Sequence, residues 1–115
     1  MPVELCPLAD LTEAGKEVIF ESLGKRYYLM LFRHADAVLG YHNVCPHQGR
    51  NLNYAPDRFL FDPQGRLVCP HHGAVFEVES GMCVQGPCLG AGLRKFDLRI
   101  EADQVVLADE HLLAG

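Results

Sequence analysis

Residues 45–49 read Cys-Pro-His-Gln-Gly, and residues 69–73 read Cys-Pro-His-His-Gly. Each segment supplies at least one imidazole and one thiol, and 21 residues separate His47 from Cys69. Cysteine and histidine are ligands that both zinc ions and iron–sulfur clusters use in proteins. Two such segments in one short chain therefore predict a metal site whose ligands come from two loops.

The order of the ligands within each segment helps to choose between the two kinds of site. Structural zinc sites usually pair Cys with Cys and His with His over short spacings. Here each segment mixes the two ligand types, which suits a binuclear cluster with two unlike irons, because each loop can send one ligand to each iron. The pattern favours an iron–sulfur cluster, and a zinc-stabilised interaction module remains the alternative.

The sequence on both sides of these segments predicts β-strands. β-branched and aromatic residues are frequent there, and turn residues separate the runs. The predicted strands cover residues 17–22, 26–33, 37–41, 95–101 and 105–107. Alternation in the fourth strand places Phe96, Leu98 and Ile100 toward the core. Residues 43–92 hold most of the Gly, Pro and Cys, and we expect them to form loops with a function.

The two segments resemble the ligand boxes of the Rieske family, which have the patterns Cys-x-His and Cys-x-x-His. This resemblance implies one [2Fe–2S] cluster per chain, with Cys45 and Cys69 on one iron and His47 and His72 on the other. It covers about two-thirds of the chain well, including the Gly86-Pro87 segment, which is similar to the family's third loop over the cluster.

The resemblance also implies a fold class. We expect an all-β Rieske fold, in which an antiparallel β-sandwich base carries an inserted, loop-rich cluster-binding subdomain. The single domain would cover residues 1–115, and the subdomain would cover residues 43–92.

Several positions distinguish subgroups of the family. Respiratory-complex members carry an extra Cys in each box and join the two by a disulfide, but this chain has Arg50 and His71 there. The same members have Ser and Tyr hydroxyls that donate hydrogen bonds to cluster sulfurs, whereas this chain has Ala74 and Phe76. The resemblance is therefore to the ferredoxin type.

The missing hydroxyls predict a low reduction potential. Hydrogen bonds to sulfur stabilise the more negative, reduced cluster and so raise the potential. Rieske centres span roughly −150 to +300 mV, and we expect a midpoint in the lower part of that range. Redox titration on an electrode measures it, and a midpoint well above zero would contradict the prediction.

The function that the resemblance implies is transfer of one electron at a time, from a flavin reductase to a ring-hydroxylating oxygenase. A Rieske-type small subunit of a larger enzyme, such as assimilatory nitrite reductase, is the closest alternative. We expect a carrier and not an enzyme, because an oxygenase also needs a mononuclear iron with two His and one carboxylate. The remaining histidines show no convincing pair for such a site.

Composition adds limits. A net charge of −5 gives no support for binding nucleic acid or an anionic membrane. The N-terminal residues do not resemble a signal peptide, and the odd count of five cysteines argues against complete disulfide pairing. We therefore expect a soluble, cytoplasmic protein.

Cys83 and Cys88 are interpreted as small buried thiols in a tight loop. The sequence does not predict an oligomeric state.

Overall fold

The computed structural model describes residues 3–22, 24–46, 51–71 and 73–108. Within these ranges the chain forms antiparallel strands and one short 3-10 helix, Leu8–Asp10. The all-β prediction is confirmed. No helix in the described ranges has the length and apolar character needed to cross a membrane. The strands are β1 Val3–Pro7, β2 Lys16–Ser22, β3 Lys25–His34, β4 Ala37–His42, β5 Asn53–Ala55, β6 Arg58–Phe61, β7 Leu67–Val68, β8 Val75–Phe76, β9 Cys83–Gln85, β10 Lys95–Phe96, β11 Leu98–Glu101 and β12 Gln104–Leu107.

These strands form three sheets. The outer sheet has the order β1-β12-β11, the central sheet has the order β10-β4-β3-β2, and the distal sheet has the order β5-β6-β7-β8-β9. The first two sheets bring together strands from both ends of the sequence, and the distal sheet is built entirely from the middle. Along the chain, the strands of the distal sheet therefore lie between β4 and β10, which both belong to the central sheet.

The central strand β3 explains how the sheets pack. Its residues Leu29, Met30, Leu31 and Phe32 are at most 1% exposed. Successive side chains of a strand point to opposite faces. Accordingly, Leu29 and Leu31 belong to a core cluster shared with the outer sheet, and Met30 and Phe32 belong to a second cluster shared with the distal sheet. The central sheet is therefore buried on both faces along the middle of β3, and each face carries its own core.

The predicted strand at residues 95–101 is wrong in one respect, because it is two strands. Lys95 and Phe96 pair with β4, the regular pairing breaks at Asp97, and β11 then pairs with β12 in the other sheet. Phe96 is buried as predicted, but Leu98 is only half-buried and Ile100 is 45% exposed. Ile100 lies near the hairpin turn on an edge strand, where fewer neighbours cover it.

Residues 43–92 are rich in loops, as expected, but they also contain the five short strands β5 to β9, which the sequence analysis did not predict. These strands have two to four residues each. Such lengths are too short to show the period-two alternation that identifies a strand in a sequence. The assignment of residues 43–92 as a cluster-binding subdomain remains a prediction.

Tyr41 connects the central sheet to the turn between β8 and β9. Its ring is fully buried, and its hydroxyl points toward the carbonyls of Val78 and Glu79, at 2.6 and 3.0 Å. Burial, and secondarily the nearby Glu79 carboxylate, raises the pKa of Tyr41 to about 12. The neutral hydroxyl is therefore the form that the folded state favours.

We expect Tyr41→Phe to lower the free energy of unfolding by about 1 kcal/mol at neutral pH, because the partly buried hydrogen bonds to the Val78 and Glu79 carbonyls are lost. Since the pKa is raised on folding, this stabilisation is present below about pH 10 and is lost as the pH approaches 12. Urea unfolding of both proteins from pH 7 to 11 measures the difference. A difference that stayed constant over that range would contradict the assignment.

Candidate metal centre

The second box is the connection between β7 and β8. Its backbone closes on itself, because the Cys69 N–H donates to the Ala74 carbonyl at 2.7 Å and the Gly73 N–H donates to the Cys69 carbonyl at 3.0 Å. Gly73 has a φ of +74°, which glycine adopts without strain. The loop holds the Cys69 side chain inside the protein, at 2% exposure. His72, the other predicted ligand of this box, lies outside the described residues.

The first box begins shortly after β4 and is held by a buried asparagine. The Asn43 side chain is fully buried, and its Oδ1 accepts a 2.7 Å hydrogen bond from the backbone N–H of Leu52. Its Nδ2 donates to Asn53 Oδ1 at 2.8 Å. These bonds join the two ends of the segment that contains Cys45, which is 2% exposed. His47 lies outside the described residues. No local sequence pattern indicates this role of Asn43.

The structure places Cys45 and Cys69 in the same hydrophobic core cluster, although different loops carry them. The described residues contain no group of three or more His, Cys, Asp or Glu side chains that could hold a metal ion. Two of the four predicted ligands, His47 and His72, are outside those residues. The ligand set therefore remains a prediction. Of its four members, the structure describes the two cysteines, and both are buried. Other members of this core cluster are Leu52, Ala74, Phe76, Cys83 and Cys88.

A third loop, which follows β9, packs against the backbone of the second box. Gly86 has a φ of +102°, and a Cβ built on it would lie 2.8 Å from the Ala74 Cα. Only glycine permits this approach. The Leu89 N–H donates to the Gly86 carbonyl at 3.2 Å, which closes a turn around Pro87. The third loop thus packs against the second box through Gly86. This is the Gly86-Pro87 segment that the sequence analysis compared with the third loop of the family.

Cys88 lies in this third loop and Cys83 begins the preceding strand β9, so the prediction that both are small buried thiols is confirmed, but their placement in one tight loop holds only for Cys88. They are 3% and 9% exposed, and their sulfurs are 3.2 Å apart. Cys83 Sγ donates in turn to the Gln85 carbonyl at 3.3 Å. Burial, followed by the neighbouring thiols of Cys83 and Cys45, raises the pKa of Cys88 to about 12. The sequence did not show that Cys88 reaches Cys45, because the two residues are far apart along the chain.

Residues 1–102 match the sequence model of one family, the Rieske [2Fe-2S] domain. The chain belongs to that family. The prediction of a [2Fe–2S] cofactor is thereby confirmed, and the fold described above is consistent with the Rieske fold. None of the curated proteins compared with the chain is a significant match.

Solved structures of similar fold include a ferredoxin and larger oxygenase chains. The ferredoxin of carbazole 1,9a-dioxygenase from Nocardioides aromaticivorans IC177 is 26% identical, with a TM-score of 0.71, and the match covers 94% of this Rieske chain and 97% of the ferredoxin. A chain in the complex of reduced oxygenase and oxidized ferredoxin in carbazole 1,9a-dioxygenase is 23% identical, with a TM-score of 0.71 and coverage of 93% and 92%. The terminal oxygenase from Novosphingobium sp. KA1 is 22% identical, with a TM-score of 0.74, and the match covers 92% of this chain but 29% of the oxygenase.

The described part of the Rieske site fits a [2Fe–2S] cluster chemically. Thiols are ligands of such clusters, and both described thiols lie in an apolar cluster that excludes water. The neighbouring Ala74 and Phe76 are fully buried and carry no hydroxyl. Hydrogen-bond donors to the cluster sulfurs must therefore come from other groups.

Proposed function

We propose that this Rieske protein carries one electron at a time from a flavin reductase to a terminal oxygenase. Its cluster is held by Cys45 and Cys69 on one iron and by His47 and His72 on the other. When bound, the [2Fe–2S] group supplies a site that takes up and releases a single electron. The protein supplies the ligands, their apolar surroundings and the surface for its partners.

The observation that carries this proposal is the similarity to the ferredoxin of carbazole 1,9a-dioxygenase over 94% of this chain and 97% of that protein. Further support comes from the similar chain in a structure of oxidized ferredoxin with reduced oxygenase. We therefore propose that the electron acceptor of this chain is an oxygenase and that its electron donor is the reductase of that oxygenase.

The described residues favour electron transfer with little rearrangement. Backbone hydrogen bonds fix the second box, and the Asn43 side chain fixes the first. The third loop packs against the backbone of Gly73 and Ala74, and it carries Leu89, which is 69% exposed. An exposed apolar residue beside the site suits contact with a protein partner.

We also propose that the chain acts as a carrier and not as a catalyst, and that it works in the cytoplasm. None of its five cysteines, all of them described, takes part in a disulfide, which fits a reducing compartment. Cell fractionation followed by immunoblotting tests the location, and recovery in a periplasmic fraction would contradict it.

Electron transfer between purified proteins tests the function. The anaerobically purified protein is mixed with a purified flavin reductase and a purified ring-hydroxylating oxygenase, and NADH is added. We expect a rhombic EPR signal of low average g on reduction, and product formation by the oxygenase that requires this protein. The matched control is the Cys69→Ala variant, which lacks a proposed ligand and is expected to support no turnover.

Three outcomes would overturn the proposal. A colourless protein that contains zinc would favour an interaction module. Tight co-purification with a large redox enzyme, without reduction by a separate reductase, would favour the subunit role. Product formation by this protein without an oxygenase would show that it is an enzyme.

A further inference from the structure

The third loop brings a non-ligand thiol to a proposed cluster ligand. Cys88 is buried, lies in the same core cluster as Cys45, and has the Cys45 thiol among its side-chain neighbours. In this structure the Cys88 S–H donates to Cys83 Sγ at 3.2 Å. Cys88 therefore has two sulfur neighbours, and its single proton can be donated to either.

The identity of the acceptor changes when Cys45 binds iron. Cys83 donates its own S–H to the Gln85 carbonyl. An iron-bound Cys45 is a thiolate, and hydrogen bonds to a charged acceptor are stronger than those to a neutral one. Cys45 is then a stronger acceptor than Cys83 for the Cys88 proton.

We propose that Cys88 donates an S–H···S hydrogen bond to the Cys45 ligand and thereby raises the reduction potential of the cluster. This inference rests on the proposed function, because it requires Cys45 to be an iron ligand. The added electron increases the negative charge on the ligand sulfurs, so a donor to sulfur stabilises the reduced state more than the oxidised state.

The surroundings strengthen the effect of this bond. Ala74 and Phe76 offer no hydroxyl, and both are fully buried in the same cluster. With little water nearby, a hydrogen bond is screened less than at the surface. A weak thiol donor can therefore have a measurable influence here.

Three variants of the anaerobically purified holoprotein, handled with a thiol reductant, test the proposal by protein-film voltammetry. Cys88→Ala removes the donor, and we expect a threefold to tenfold fall in the equilibrium constant for reduction, where tenfold corresponds to about 59 mV for one electron. Cys88→Ser keeps a donor and is expected to recover most of the shift. Cys83→Ala removes the neighbouring thiol and leaves Cys88 to Cys45, so its midpoint should not fall.

A second measurement detects the Cys88 S–H proton directly. Pulsed EPR of the reduced protein after transfer to D₂O should show an exchangeable coupling that is present in the wild type and absent in Cys88→Ala. Equal midpoints in wild type and Cys88→Ala, or equal falls in Cys88→Ala, Cys88→Ser and Cys83→Ala, would overturn this inference while the carrier function stands. A wild-type protein without a [2Fe–2S] cluster would overturn the proposed function and this inference together.

Discussion

Replacing Cys69 with alanine is expected to abolish binding of the iron–sulfur cluster. The side chain is buried at 2% exposure and is the thiol that the second box offers to iron. The hydrogen bonds that close this box use backbone atoms, so the loop keeps its closure without the thiol. We expect the iron content to fall from about two atoms per chain to near zero, with loss of the red-brown colour.

Cys6→Ala is the matched control for this experiment. Cys6 is also buried, at 6% exposure, but it belongs to the core cluster between the outer and central sheets. Its replacement removes a thiol of similar burial far from the predicted ligands, and we expect full iron content. Iron analysis, sulfide analysis and the visible spectrum compare the two variants. Retention of a normal cluster by Cys69→Ala would show that the ligand assignment is wrong.

Replacing Asn43 with alanine is expected to lower the free energy of unfolding by about 3 kcal/mol and to speed the loss of iron. The change leaves the buried N–H of Leu52 without its acceptor and removes the donor to Asn53. Because Cys45 lies between Asn43 and Leu52, the same change loosens the segment that holds a proposed ligand. Urea unfolding measures the stability, and transfer of iron to a chelator measures the release.

Asn53→Ala provides the comparison. Asn53 is half-buried, its Oδ1 accepts from Asn43 Nδ2, and its own amide donates to Glu17 Oε2 at 2.9 Å, but it takes no part in the Leu52 bond. Because Asn53→Ala also removes the acceptor of the buried Asn43 amide, we expect a cost of about 2 kcal/mol, with slower iron release than in Asn43→Ala. If the two variants lost stability and iron equally, the role assigned to the bond between Asn43 and Leu52 would be incorrect.

The central sheet shows where prediction from the sequence succeeded and where it could not. The long apolar runs of β2, β3 and β4 identify strands locally, because their composition and turns are local properties. That β3 separates two cores follows only from the sheets packed on its faces. Ile100 was placed in the core by alternation, but its edge position leaves it exposed, and no local pattern records which strand ends its sheet.

For the site, the sequence by itself determined the chemistry. The types and order of Cys45, His47, Cys69 and His72 favoured an iron–sulfur cluster over zinc, since ligand preference is a property of residue type, and the resemblance of the two boxes to the family implied a Rieske cluster. Only the tertiary structure decided what surrounds these ligands. It placed Cys88 beside Cys45, fitted Gly86 against Ala74 and closed the first box through Asn43. Such contacts depend on how distant segments pack, and packing is set by the whole chain at once and not by any one segment.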